Sequence, residues 1–402
     1  MREKISTLVI APFYDIFVKE LTDATSRYIK HAHVAIHHNY LSELSKYLPA
    51  KGYIRHVRRF IKENILKEKD RPSNVDIYLV SLLYFIPDGM NRRIGGILAK
   101  KLEQLIKQKN IDFNLIHAHF TWPTGYAGVM LGKKFGVPIV ITVHENREWF
   151  LREINSRNPK IYHTWKNSNA LVRVNKIDVS LLKNFNNNVY HIPNGYNPEK
   201  IYFIDKFKAR KILNLPTKNK IIFGLAYLSE RKGYQFLIES IYKIIKSQQN
   251  ILCVIGGEGP YKPRLENKIN QLNLQKYVKL VGFIPEDHLN LWFNAADVFV
   301  LPSLSEGNPT VMFEALGCGL PFIGTRVGGV PEIIISEDYG LLVEPANSKD
   351  LAEKILIALN KEWDREKIRK YAEQFTWGKI AQKTIKIYEE LFTRYNIKIG
   401  DR

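Results

Sequence analysis

The sequence predicts an α/β protein of two doubly wound domains, each a parallel β-sheet covered by helices on both faces. In the first half, short apolar runs at 7–11, 33–36, 76–80, 114–117, 138–143, 170–174 and 189–192 alternate with helical patterns. In the second half the series starts again, at 220–226, 251–255, 278–281, 297–301, 321–323 and 341–343. Such alternation argues for strand–helix–strand units and parallel sheets buried on both faces. Between the two series lies the turn-rich stretch 194–202, NGYNPEKIY, where a domain boundary belongs. The expected organisation is 1–196, 197–376 and a terminal helical stretch, 377–402.

The elements follow from the N-terminus. The apolar run in MREKISTLVIAPFYD is too short for a signal-peptide core and fits a first strand. The longest uncharged apolar stretch, around 77–87, falls short of the about 20 residues of a membrane span. The expectation is a chain neither secreted nor transmembrane, hence cytoplasmic. Cys253 in a strand-like run and Cys318 at a helix end read as buried thiols, not as a disulfide or metal pair.

At 402 residues, with 45% hydrophobic and 25% charged residues, the composition is that of a globular protein. The net charge of +20 implies an anionic partner. Nucleic acid, an anionic membrane and a phosphorylated substrate all qualify, but no helix-turn-helix, zinc-finger or RNA-recognition signature is visible. Two basic clusters stand out. In 51–69, Ile54, Val57, Ile61 and Ile65 fall near one helical face, flanked by Arg55, Arg58, Arg59 and Lys62. The other is Arg92, Arg93, Lys100 and Lys101. A basic amphipathic helix reads as membrane-surface binding, and equally as a core-packing helix with a solvated basic rim.

The segment 301–319, LPSLSEGNPTVMFEALGCG, carries the most chemistry. It follows the apolar run ADVFVLPS at 296–303. Asn308 reads as an N-cap with Pro309 at the first helical position. Val311, Met312, Ala315 and Leu316 recur at helical spacing, and Gly317 and Gly319 mark the end. A helix therefore begins at the carboxyl end of a buried strand, where ligands bind in open α/β sheets and free N–H groups favour an anion. Glu306 falls in the loop before the helix, and Glu314 one turn below Thr310 on the same face.

This segment resembles the glutamate–seven–glutamate signature of the family-4 retaining glycosyltransferases. PFIGTRVGGVPEII at 321–334 and GLLVEP at 340–345 extend the resemblance, which is strong from about Asn114 to the C-terminus and thin before it. It implies the GT-B fold, with two Rossmann-like domains facing a central cleft. It also implies a terminal helix that crosses back onto the N-domain, and Glu306 beside the donor sugar with Glu314 on the nucleotide ribose. Stretch 194–202 resembles the family's hinge, with Asn197 where aspartate is usual.

A second anion site is LAYLSERKG at 225–233. Lys232 resembles the family lysine that neutralises the donor diphosphate. The arginine usual about five residues earlier is Tyr227 here. Either Arg231 substitutes, or the diphosphate relies more on Lys232 and on helix N-termini; the donor-binding stretch implied at the helix start is Gly307, Asn308, Pro309 and Thr310. IGGEGP at 255–260 and VGFIP at 281–285 resemble nucleotide-lining loops, the second through backbone around Ile284; plain turns would read the same way.

His144 opens HEN at the end of a buried run and resembles the histidine that reaches the donor sugar, with Glu145 in place of the usual glycine. His117 and His119 fall on one side of a strand, a geometry able to bind metal. No third histidine or cysteine is near in sequence and no D-x-D occurs, so no metal site is expected. The first loop, APFYD, lacks the family's Gly-Gly pair, which leaves the acceptor unreadable.

The expected protein is a retaining glycosyltransferase that uses a nucleotide-diphosphate sugar as co-substrate, with no cofactor and no metal for transfer. The acceptor implied is a lipid-linked or polysaccharide-precursor glycan, reached from the cytoplasmic face of an anionic membrane, with no nucleic acid involved. The rival readings are a non-catalytic or nucleic-acid-binding basic protein, and a GT-B phosphorylase or epimerase.

Overall fold

A computed structural model describes residues 4–49, 57–84 and 91–400, apart from the side chains of Arg59 and 396–400. The chain divides into two compact units. One runs to Pro193 and takes in the segment from Trp377; the other is Asn194–Thr376.

The first unit is a seven-stranded sheet of β1 (Ser6–Ala11), β2 (His31–Asn39), β3 (Val75–Leu82), β4 (Leu115–His119), β5 (Ile139–Val143), β6 (Ala170–Arg173) and β7 (Val189–His191). The order is β3-β2-β1-β4-β5-β6-β7, with every pairing parallel. β1, β4 and β5 are buried along their whole length, as their continuous apolar runs require. Two apolar clusters cover the two faces. One contains Trp377, Ile380, Ile385, Tyr388 and Leu391 of the terminal helix Trp377–Gly400. The other is built on helix Ile94–Lys109 and Trp165. The terminal helix is pinned by a polar contact too, the Tyr388 hydroxyl lying 2.6 Å from His117 Nδ1.

The second unit repeats the plan with β8 (Lys220–Leu225), β9 (Ile251–Gly256), β10 (Val278–Gly282), β11 (Val298–Leu301), β12 (Phe322–Thr325) and β13 (Gly340–Val343), in the order β10-β9-β8-β11-β12-β13. All pairings are again parallel. Cys253 and Cys318 are free and buried.

The 51–69 expectation changes. Arg55 lies outside the described residues, as does the Arg59 side chain. The described part is not one helix: a 3-10 turn, Arg58–Phe60, is separated from the single turn Lys62–Ile65 by Ile61, in extended backbone. The break lets the Phe60 carbonyl accept from Ser42 and the Lys62 amide donate to Glu43. It also brings Ile65 into the core, where its carbonyl accepts from the Tyr14 amide. The Arg58 guanidinium donates to the carbonyls of Ser45, Lys46 and Leu48, which ties it to the preceding turn. Among the described residues, no helix is long and apolar enough to cross a membrane.

A buried charge network closes the amino edge of the second sheet. Arg210 donates to Asp297 Oδ2 at 2.6 Å and to the carbonyls of Ala295, Thr217 and Asn219. Asp297 also accepts from the Ile221 amide and pairs with Lys206 at 2.9 Å. Burial alone would raise the Asp297 carboxyl. The Ile221 amide, Lys206 and Arg210 outweigh that and hold it below its usual value of 3.8. A depressed carboxyl stabilises the fold above its unfolded pKa, and that contribution is lost as pH falls through the folded value. Asp297→Asn is therefore expected to cost on the order of 3 kcal/mol near neutral pH, because it strands buried Arg210. Urea melts across pH should show this gap closing as pH falls below about 3.8; a gap of constant size would remove Asp297 from the acid response.

Candidate functional site

In an open parallel sheet the ligand crevice lies at the carboxyl ends of the strands, where the winding reverses. In the second unit that point is between β8 and β11. The loop after β8 carries Arg231 and Lys232 in the 3-10 turn Glu230–Lys232, and Gly233 then opens helix Tyr234–Ile244. Gly233 has φ +71, and a Cβ there would stand 1.9 Å from the Pro302 carbonyl oxygen. Only glycine lets the two loops close this tightly. A backbone bond from Leu304 N to Arg231 O, 2.7 Å, ties them further.

Side chains that the sequence separates by more than seventy residues meet here. Lys232 Nζ lies 2.5 Å from Glu306 Oε1, and Arg231 lies 3.6 Å from Oε2 while donating to the Ser305 carbonyl. The Ser303 hydroxyl donates to Glu306 Oε1 at 2.6 Å. Burial would raise the Glu306 carboxyl, but the charges of Lys232 and Arg231 with these hydrogen bonds hold it below the ordinary glutamate value. Two cations therefore share one carboxylate, and the cluster keeps an excess positive charge. Gly328, at φ +53, brings the following loop against Glu306, since a Cβ there would lie 2.1 Å from the Glu306 carbonyl oxygen.

The helix after β11 runs Thr310–Gly317, with Pro309 at the N-cap position and no side-chain cap. This shifts the expected start by one residue. Asn308 does not cap: its Oδ1 accepts from the Asn194 amide at 2.8 Å, and its carbonyl accepts from Asn194 Nδ2. The side chain is engaged by the chain entering the unit and is unavailable to its own helix. The Gly307 carbonyl accepts from Gly329 N at 2.7 Å. Glu314 is half-buried one turn below Thr310, and its charge helps burial to raise the Cys318 thiol. Ile284 is buried, its side chain lying over Gly256 at the end of β9. Tyr227, the residue in place of the expected arginine, is half-buried.

In the first unit the winding reverses between β1 and β4. His119 ends β4 and His144 follows β5; their Nδ1 and Nε2 atoms are 2.9 Å apart. His117 Nε2 meets the Thr142 hydroxyl at 2.7 Å. Burial lowers all three imidazoles, His117 to about 3, so each is neutral near pH 7. His144 packs against Phe17 and Phe120, with Phe13 beside them, so aromatic rings from the first loop and helix stand where the family pattern has glycines. Glu145 turns inward: its Oε1 accepts from the Thr121 amide, and its carbonyl accepts from Arg173. Burial and then the Glu145 charge push the neighbouring Glu153 carboxyl well up. Arg173, fully buried, pairs with Asp178 at 2.7 Å and lies over Phe150.

Lys232–Gly233 opens the next helix as the sequence indicates, whereas Ser303 and Gly328 at the first site and Arg173 at the second carry roles that the sequence reading does not assign. A charged residue ending a buried strand, as in ALVRVN at 170–175, was a usable signal for Arg173. Nothing local marks Ser303, whose role exists only once Glu306 folds back onto it. Among the described residues, the one group of three histidines or carboxylates close enough for a metal ion is His31, His33 and Asp76, at the other edge of the first sheet.

The model of the glycosyl transferases group 1 matches residues 205–375, and that of glycosyltransferase family 4 matches 38–200. An uncharacterized glycosyltransferase of Methanocaldococcus jannaschii is 31% identical over 294 residues, 72% of this chain and 78% of that protein. The fold is that of the sucrose-phosphate synthase of Thermosynechococcus elongatus, at TM-score 0.76 and 20% identity over 97% of this chain and 100% of that one. It is also that of Anabaena HepE, solved in complex with UDP-glucose, at TM-score 0.69 and 18% identity over 96% of this chain and 100% of that one. The chain belongs to the group 1 glycosyltransferases of family 4.

Proposed function

We propose that this glycosyltransferase takes its sugar from a nucleoside-diphosphate donor, with retention, and that the β8–β11 switch point holds the donor diphosphate. The observation that carries the reading is the cation excess around Glu306, set beside the N-terminus of helix Thr310–Gly317. The UDP-glucose complex of HepE supports the donor class. In the reaction the bond between the anomeric carbon and the diphosphate oxygen breaks and the acceptor oxygen bonds to that carbon. The acceptor proton passes to the departing diphosphate. Charge grows on the leaving group, and Lys232, Arg231 and the amides of Gly307, Asn308 and Thr310 are placed to meet it; Pro309 fixes the loop.

Glu306 suits an orienting role better than a nucleophilic one. Its Oε1 is held by Lys232 and Ser303, which lowers its charge density, so attack and departure on one face fit better than a glycosyl-enzyme. His144, neutral, suits hydrogen bonding to a sugar hydroxyl. Glu314 takes the ribose hydroxyls, and backbone near Ile284 takes the base.

The proposed acceptor is a lipid-linked or polysaccharide-precursor glycan, worked on peripherally at an anionic cytoplasmic membrane face. The net charge of +20 supports this, as do exposed Lys62, Arg92, Arg93, Lys100 and Lys101.

A thermal-shift panel of UDP-, GDP- and ADP-sugars tests the donor class, since a ligand at a hundred times its Kd adds about 2.7 kcal/mol. No shift with any of them would remove the donor reading. Lys232→Ala is expected to lower kcat about 100-fold or more, a larger effect than its loss of stability from leaving buried Glu306 with fewer partners; near wild-type turnover would end the diphosphate assignment. Glu314→Ala should weaken nucleotide binding by about 1.5–3 kcal/mol, and calorimetry showing unchanged affinity would reassign the ribose. Changing Arg92, Arg93, Lys100 and Lys101 to Gln should reduce co-sedimentation with anionic vesicles, each charge contributing about 1 kcal/mol at low salt. Equal sedimentation of variant and wild type would locate membrane binding elsewhere.

A further inference from the structure

His31 and His33 are alternate residues at the start of β2, so both imidazoles leave the same face of the sheet. The register sets His33 directly beside Asp76 on β3, the outermost strand of that sheet. Asp76 Oδ2 is 2.9 Å from His31 Nε2 and 4.0 Å from His33 Nδ1, and the two rings lie 4.4 Å apart, tilted by 36°. One donor atom from each residue falls within 4.8 Å of the other two.

A tetrahedral zinc ion with bonds of about 2.0–2.1 Å needs donors roughly 3.4 Å apart. The two distances to Asp76, 2.9 and 4.0 Å, bracket that spacing, and the two imidazole donors lie within 4.8 Å of each other. We propose that His31, His33 and Asp76 form a zinc-type divalent metal site that staples the edge strand β3 to β2.

The chemistry of the three groups favours an ion over a plain ion pair. Asp76 satisfies His31, while His33 Nδ1 has only a long 3.4 Å approach to the Tyr78 hydroxyl. The His33 ring is steadied by a hydrogen bond with the Asp112 backbone, the kind of outer contact that orients a metal-bound imidazole. Two nitrogens and one carboxylate oxygen suit zinc, with a fourth position open to water. Entry is available: the side chains are 27% (His31), 13% (His33) and 47% (Asp76) exposed. The site lies at the amino ends of the strands, whereas His119 and His144 lie at the carboxyl ends. Its role is therefore structural, and sugar transfer proceeds without it.

The test is a zinc titration of the chelator-stripped full chain against a chromophoric competitor, with melting temperature read in parallel. The wild type should bind one equivalent and melt higher with zinc. His33→Asn and Asp76→Asn should each weaken zinc about 100-fold or more, with nucleotide affinity unchanged. Wild-type affinity no greater than that of a His31→Gln/His33→Gln double variant overturns the proposal, as does full retention of affinity in either single variant. If the variants do not fold, the wild-type cobalt spectrum decides. Strong four-coordinate bands that one equivalent of zinc removes support the site, and a weak octahedral spectrum overturns it.

Discussion

Parallel pairing is the constraint on which everything else in this molecule rests. Every strand pair of both sheets runs parallel, so all carboxyl ends of a sheet emerge at one edge. Each strand needs a crossover to return, and the crossovers bury both faces, which leaves the strands apolar along their length. Polar chemistry then concentrates at the edges, although His117 of β4 pairs with Thr142 of β5 within the sheet. In both units the winding starts in the middle and reverses once, between β1 and β4 and between β8 and β11. The two loops at each reversal diverge to opposite faces, and the gap they leave holds the polar side chains.

The charges at those edges obey one rule: a buried ion stays only where several partners offset its lost hydration. Asp297 has the Ile221 amide, Lys206 and Arg210. Asp178 has Arg173, with Arg147 at 3.4 Å. Glu306 has Lys232, Arg231 and Ser303. The first two sets hold the architecture. The third differs because Arg231 is about one-third exposed and only loosely engaged with Glu306, so its positive charge is available to an incoming anion. A diphosphate entering there would draw on Arg231 first and share Lys232 with Glu306.

The sheets were legible because buried parallel strands are short, apolar and punctuated, and each of the thirteen runs read from the sequence overlaps an observed strand. Helix Thr310–Gly317 was legible to within one residue. Its start was displaced because Asn308, a good cap by composition, forms a longer-range bond to Asn194 that no local pattern announces. The 51–69 segment misled for a related reason. Its spacing is helical, but Ile65 is drawn to Tyr14 and Arg58 to three carbonyls of a preceding turn, so tertiary contacts override the periodicity. Glu306, Lys232 and Arg231 could each be named from the sequence. Their direct contact could not, because it depends on Gly233 and Gly328 bringing three loops together.

The two reversal points divide the chemistry between them. In the second unit the side chains are ionised and the excess is positive. In the first, burial keeps His117, His119 and His144 neutral, and Phe13, Phe17 and Phe120 add apolar surface around His144. The His119–His144 bond occupies His144 Nε2 and leaves Nδ1 without a protein partner. Neutral imidazoles beside aromatic rings make this an uncharged, weakly polar surface. It is poorly matched to a phosphate, which needs cations or converging amides. Glu145 strengthens the division, since it places a carboxyl where the family pattern has glycine and turns it inward to the Thr121 amide. Positive charge is thus concentrated around Glu306 in the second unit, whereas the imidazoles of the first carry none.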